Sequence, residues 1–339
     1  MNKGVSVVIC CYNSEKRIET TLEHLKKQVC PDTIKWEVVL IDNASTDNTV
    51  QISYEYWGNY GVPLRVIKEE KPGLSHAREA GFISAQYDYV SMVDDDNWVC
   101  SDWVKTVYNI MDSNPLVGAC GGRGEGAFEI DPPFWFEEQQ YAYAVGPQLS
   151  MISKDPSNSK FLYGAGITIR KSLWLNLKEK GFSPILSGRK GTSLTSGEDF
   201  ELTLAIQLSG YDLFYDSNLT FMHYMTANRL SWDYLKKLHF SFGKASAIID
   251  LYKVHLNNFQ GIRKLRVSIP FISICYSVYL ILKYLPKSAY LKILGKWKVG
   301  DDEMLSNEWR KGKLASYIEI YSIMPNLVNQ IKSAEWLKK

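Results

Sequence analysis

Between residues 5 and 96 the chain alternates short β-branched apolar runs with amphipathic stretches, a spacing that a sheet with crossover helices satisfies. VSVVIC (5–10) and WEVVLID (36–42) read as strands buried on both faces. Ser14 is placed to cap a helix whose apolar positions are Ile18, Leu22 and Leu25. A second amphipathic stretch runs from Thr46 to about Trp57, and PLRVIKE (63–69) reads as a third strand. GLSHAREAGFISA (73–85) reads as a helix and YVSMVDDD (89–96) as a fourth strand. Such βαβ units predict a mostly parallel, Rossmann-like α/β sheet flanked by helices. Ligands bind at the carboxyl ends of its strands. That rule singles out Tyr12 and Asn13, Asp42, and Asp94 to Asp96.

Residues 100–195 are less regular and rich in Gly, Pro and aromatics. FWFEEQQYAYAVGPQ and SGRKGTSLTSG read as loops, the second a mobile one. A helix is expected from Glu198 to a terminating glycine at Gly210, and YDLFYDSNLTFMHYM returns to extended character. No internal repeat is evident.

Three adjacent carboxylates at a strand end repel one another, and a bound cation compensates them. Oxygen ligands select Mg2+ or Mn2+. A solvated acidic turn is the alternative. Glu198 and Asp199 open a helix, where acids suit the dipole and where a general base can face a cleft. His223 lies in the apolar run TFMHYM, as a core histidine or a ligand.

Of the 339 residues, 45% are hydrophobic and 22% charged, which excludes disorder. The net charge of +2 divides unevenly, −9 over residues 1–225 and +11 over 226–339. The uncharged run 267–282, VSIPFISICYSVYLIL, sits between Arg263, Lys264 and Arg266 on one side and Lys283 on the other. It is short of the ~20 residues that span a bilayer. A buried core helix, an interfacial helix and a re-entrant one all remain open. The start of the chain has no signal-peptide pattern, which suggests a cytoplasmic protein. The six cysteines lack zinc or CxxC spacing and read as reduced, mostly buried thiols. Nothing resembles a nucleic-acid recognition motif, and no GxGxxG follows the first strand.

In series, VSVVICCYNSEKRIETTLEHL, VVLIDNASTDNT, KPGLSHAREAGFISA and YVSMVDDDN resemble the nucleotide-sugar half of family 2 glycosyltransferases with the GT-A fold. FLYGAGITIRKSLW and SGEDFELTLAIQLSGYDLFYD are similar to the acceptor half of that family, so the resemblance covers roughly 5–225. It implies a catalytic domain at 1–225, divided into a donor half (1–97) and an acceptor half (98–225), followed by a basic helical region at 226–339. The resemblance places Tyr12 and Asp42 on the donor base, with Asn13 beside them. Cys10 and Cys11 stand where the family usually has Pro-Thr. It brings Arg78 toward the donor, Asp94 and Asp95 to the ribose and diphosphate, and Asp96 to the metal, with His223 as a second ligand. Asp199 would be the catalytic base and Glu198 its neighbour at the acceptor. Gly164, Ala165 and Gly166 would let backbone approach the sugar, and Arg189 could close over the diphosphate. Arg229 and Trp232 form an R-x-x-W pair that could serve the acceptor site.

The implied activity is metal-dependent, inverting transfer from a UDP-, GDP- or dTDP-sugar to a glycan or lipid-linked glycan. Surface polysaccharide or lipopolysaccharide synthesis at the cytoplasmic face of an anionic inner membrane would suit it. The alternatives are a sugar-nucleotide nucleotidyltransferase, which would want a Gly-rich, Arg-bearing loop absent from CCYNSEKR, and a membrane-bound scaffold that binds glycans without turnover.

Overall fold

A computed structural model describes residues 2–148, 161–186, 188, 196–255, 262–294 and 298–338. The expected Arg189 contact and most of the SGRKGTSLTSG loop lie outside these residues. The first half runs β1 (Asn2–Cys11), α1 (Ile18–Lys26), β2 (Trp36–Asp42), α2 (Thr49–Trp57), β3 (Leu64–Lys68), α3 (Leu74–Ser84), β4 (Tyr87–Met92), β5 (Asn97–Val99) and α4 (Trp103–Ser113). Then come β6 (Val117–Phe128), α5 (Phe136–Gln139), β7 (Thr168–Arg170), α6 (Lys171–Glu179), α7 (Glu198–Leu208) and β8 (Asp212–Met225). The C-terminal third is helical: α8 (Trp232–Lys253), α9 (Ile262–Ser268), α10 (Pro270–Ile293), α11 (Asp302–Glu319) and α12 (Met324–Lys332).

The strands form one sheet of eight in the order β3-β2-β1-β4-β7-β6-β8-β5. β3, β2, β1 and β4 are parallel, as the alternation predicts. Beyond β4 the sheet is mixed: β7 runs antiparallel to β4 and β6, β8 is parallel to β6, and β5 is antiparallel to β8. Residues of β1 alternate between two cores. Val5, Val7 and Ile9 face α1, α2 and α4, while Val8 faces α3, α6 and α7. The buried Glu37 of β2 is matched by Arg65 at 2.8 Å and by Ser6 Oγ and Gln86 N, both at 2.7 Å.

Ser14 does not cap α1 with its side chain. Its carbonyl accepts from Arg17 N and Ile18 N, and its hydroxyl turns to Asp95. Gly210 follows α7 with a φ of +90°, the conformation expected of a terminating glycine. The FWFEEQQYAYAVGPQ segment is not a plain loop, since it carries α5 and a 3-10 turn at Gln140–Tyr143.

The core beside α7 continues without a break into the C-terminal helices through Ile248, Tyr252, Tyr317, Met324 and Trp336. α8 and α11 approach so closely that a Cβ on Gly243 would meet the Trp309 carbonyl oxygen at 2.0 Å. One on Gly312 would meet that of Phe240 at 2.0 Å. A third cluster, with Trp135, Phe136, Tyr143, Met225, Leu230 and Leu305, packs beneath the end of β8.

The uncharged run 267–282 straddles the break between α9 and α10, where Pro270 opens the second helix. Val267 and Ile274 pack into the core, but much of the run has the opposite polarity: Ser273 and Ser277 are buried and bond to the carbonyls of Ile269 and Ser273, while Phe271, Val278, Tyr279 and Leu282 are exposed. Among the described residues no helix is long and apolar enough to cross a membrane.

Candidate active site

The loop after β1 is tied to the loop after β2. Asn13 adopts a φ of +52°, its amide N donates to Ser45 Oγ at 3.1 Å, and its side-chain oxygen accepts from Thr46 N at 2.8 Å. Ser14 N donates to Thr49 Oγ1 at 2.7 Å. Tyr12, between these ties, is 55% exposed. Asp42 is buried and accepts from Ser45 N at 3.1 Å. Burial pushes the Cys10 thiol up to about 12, with Asp94 and Asp95 adding to the rise and Arg78 opposing it. Cys10 is therefore a small protonated neighbour of the site rather than a nucleophile. All six cysteines are free: Cys11 and Cys120 are buried, and Cys275, against expectation, is exposed on α10.

The three aspartates part company. Asp95 turns toward the segment that leads into α1, where its carboxylate accepts from Ser14 Oγ and pairs with Arg17 at 2.6 Å. Its carbonyl accepts from Thr21 Oγ1 at 2.8 Å. Burial and then the charge of Asp96 raise its carboxyl, while Arg17 and Ser14 pull it back. Asp95, expected at the ribose and diphosphate, thus fastens the strand end to the start of α1. Asp94 is within electrostatic reach of both Arg78 and Arg229.

Asp96 faces His223, which β5–β8 pairing brings opposite Asn97. Asp96 Oδ1 lies 3.6 Å from His223 Nε2 and accepts from Asn97 Nδ2 at 3.0 Å. His223 Nδ1 is 2.6 Å from the Tyr143 carbonyl. A carbonyl oxygen only accepts, so Nδ1 carries the proton and Nε2 is the ring nitrogen on the Asp96 side. A carboxylate beside an imidazole whose far nitrogen is pinned to a carbonyl is a donor set that fits Mn2+ or Mg2+. Among the described residues no group of three or more His, Cys, Asp or Glu forms a metal cluster. These two side chains would therefore share an ion with substrate and water.

Arg229, expected to serve the acceptor site, lies on this pair. Nη1 donates to Asp96 Oδ2 at 2.8 Å and Nη2 to His223 Nε2 at 3.2 Å. Its turn is held by Tyr143, whose hydroxyl donates to the Arg229 carbonyl at 3.0 Å. Trp232 packs edge-on against Trp135 at 5.5 Å and belongs to the cluster beneath the site.

On the other side, Arg78 of α3 pairs with Glu198 at 3.0 Å and lies near Asp94, Cys10 and Asp199. Burial disfavours its charge, and the surrounding carboxylates, Glu198 foremost, outweigh that and raise it. Arg78 therefore links the end of β4 to the start of α7. Asp199 is held by two backbone donors, Gly164 N to Oδ2 at 2.8 Å and its neighbour Phe200 N to Oδ1 at 2.9 Å. Each carboxylate oxygen keeps a further lone pair for a proton. A Cβ on Gly164 would lie 3.0 Å from Arg78 Nη2 and 3.2 Å from Asp199 Oδ2, so glycine is what admits both. Ala165 is buried, and Gly166, at a φ of +68°, packs against Trp103 and Phe221.

Three residues at this site went unread in the sequence. Arg17 and Tyr143 hold site groups far from them along the chain. Glu201, one turn into α7, accepts from Ile185 N at 2.8 Å, Leu186 N at 2.7 Å and Tyr252 Oη. Burial pushes its carboxyl up to about 7 against those three hydrogen bonds.

The sequence profile of Glycosyl transferase family 2 matches residues 6–174, from the middle of β1 into α6. The chain is a family 2 glycosyltransferase. This glycosyltransferase is 24% identical, over 73% of its length and 77% of the other's, to the glucosyl-dolichyl phosphate glucuronosyltransferase of Haloferax volcanii. It is 28% identical to the poly(ribitol-phosphate) beta-N-acetylglucosaminyltransferase TarS of Staphylococcus aureus, over 47% of this chain and 26% of that protein. Its fold resembles crystalline TarS 1–349 with a TM-score of 0.52 at 20% identity, covering 97% of this chain and 91% of that one. It also resembles the mannosyltransferase PcManGT of Pyrobaculum calidifontis, solved with GDP-Man and Mn2+. That TM-score is 0.58 at 16% identity, covering 94% and 87% of the two chains. The glycosyltransferase therefore has the expected GT-A fold, and the nucleotidyltransferase alternative is set aside.

Proposed function

We propose that this glycosyltransferase is metal-dependent and inverting, and moves a sugar from a nucleoside-diphosphate donor to a hydroxyl of a glycan or lipid-linked glycan. The observation that carries the reading is the pairing of two constellations across one sheet edge. Asp96 and His223 offer a divalent-ion site, and Asp199, fixed by Gly164 and Phe200, offers a base. Tyr12 presents an open aromatic face to a nucleotide base, and Asp42 sits at the adjoining strand end. Asp199 takes the proton of the acceptor hydroxyl, which attacks the anomeric carbon from the face opposite the departing nucleoside diphosphate. Mn2+ or Mg2+ at Asp96 and His223 would neutralise the negative charge on that leaving group. Arg78 holds Glu198 and so sets the start of α7 that carries Asp199.

The named substrate of the Haloferax relative, a dolichyl phosphate-linked sugar, supports a lipid-linked acceptor, as does the outward apolar face of α10. The exposed Lys264, Lys283 and Lys287 flank that face. This is the pattern of a helix lying in a membrane interface, with cations toward anionic headgroups. We place the enzyme on a cytoplasmic membrane surface, in surface polysaccharide or lipopolysaccharide synthesis. A thermal-shift panel of UDP-, GDP- and dTDP-sugars with Mn2+ identifies the donor. Stabilisation by none of them would refute the donor reading.

A further inference from the structure

Resting on the metal reading above, we infer that Arg229 is an internal counter-cation that holds the Asp96–His223 pair and excludes a divalent ion until the donor diphosphate draws it away. The guanidinium does not merely neighbour the pair; it occupies both members at once. Nη1 bonds Asp96 Oδ2 at 2.8 Å and Nη2 takes the His223 Nε2 lone pair at 3.2 Å. That lone pair is the one a metal would need, because Nδ1–H is committed to Tyr143. A metal ion and the guanidinium therefore cannot hold His223 together.

The remaining contacts of Arg229 suit a side chain that moves. Among the described residues its Nε–H is buried without an acceptor, so the present position leaves one donor unsatisfied, while Tyr234 is the guanidinium's other neighbour. Its backbone, by contrast, is fixed through the Tyr143 hydroxyl. A guanidinium can meet the paired oxygens of a diphosphate through two parallel bonds, a geometry that Asp96 and His223 do not offer it. Donor binding brings such an anion to the site, and moving Arg229 onto it frees Asp96 and His223 together. The ion and the donor then bind as a pair, each raising the affinity of the site for the other.

The test is Mn2+ alone, titrated into the full chain without nucleotide and followed by the loss of the free-ion electron paramagnetic resonance signal. Wild type, Arg229→Gln and Arg229→Lys are compared, with melting curves to establish that each is folded. Arg229→Gln should bind Mn2+ at least tenfold more tightly than wild type. Arg229→Lys, which keeps a cation on the same turn, should fall between them. Adding Asp96→Asn to Arg229→Gln should abolish the gain. Equal affinities in wild type and Arg229→Gln, both lost with Asp96→Asn, would overturn this inference and leave the metal reading standing. No Mn2+ binding by any of these proteins, with or without UDP or GDP, would overturn both.

Discussion

The Tyr143 carbonyl accepts the Nδ1–H of His223 at 2.6 Å, and so decides which ring nitrogen faces Asp96. One backbone oxygen, 80 residues away in sequence, thus sets the ligand character of the site. His223→Gln should raise the Mn2+ concentration for half-maximal activity by roughly tenfold or more, a common scale for disturbing a metal site. Unchanged metal dependence in a folded variant would remove His223 from the site.

Asp199 has two backbone donors and a position at the start of α7. Asp199→Asn keeps the shape and one acceptor while losing the base. Turnover should fall by ~10²–10⁴-fold with nucleotide affinity unchanged. Turnover and nucleotide dissociation constants on the same preparation measure both halves of that statement.

Glu201 links the loop after α6 to α8 through Ile185, Leu186 and Tyr252. Its folded value of about 7 lies above the ordinary 4.5, so the folded protein holds the proton that the unfolded chain releases. The Glu201 contribution to stability is therefore largest below pH 4.5 and declines as pH rises toward 7. Glu201→Gln should destabilise by about 1–3 kcal/mol, since an amide cannot accept at both oxygens. The difference from wild type in denaturant melts should narrow as pH rises through that window.

Much of the fold was legible because burial leaves a mark on consecutive residues. The fully buried run Trp36–Asp42 and the α1 positions Ile18, Leu22 and Leu25 could be read directly. β5 and β7 have only three residues each and carry no such mark, so the mixed half of the sheet was not readable. The site divided in the same way. Asp96, Asp199 and His223 were expected from the family resemblance. What Arg229, Tyr143 and Arg17 do depends on chain crossings between distant segments. The run 267–282 is too short to span, yet only the packed helix shows that Ser273 and Ser277 face inward.

Gly243 and Gly312 let α8 and α11 touch backbone to backbone. Gly→Ala in a helix interior ordinarily stabilises by about 0.5–1 kcal/mol. Here the added methyl meets a carbonyl oxygen, and overpacking of about 1–3 kcal/mol dominates. Gly243→Ala should lower the denaturation midpoint; a raised midpoint would mean that the helices can part without loss.

Phe271 is 65% exposed and Leu282 57% exposed on the outward side of α10. If that side enters a bilayer interface, each apolar side chain contributes up to about 1.5–3 kcal/mol. The double variant Phe271→Asp, Leu282→Glu should lose roughly tenfold or more in flotation with anionic liposomes while keeping its fold. Equal flotation of variant and wild type would exclude this face.

The most direct test of the account is calorimetric binding of the sugar nucleotide identified by the donor panel, with Mn2+ and then with chelator, to wild type and Asp96→Asn. Wild type should bind and chelator should weaken that binding severely, while Asp96→Asn should bind weakly in both conditions. Equal affinity in all four titrations would contradict it.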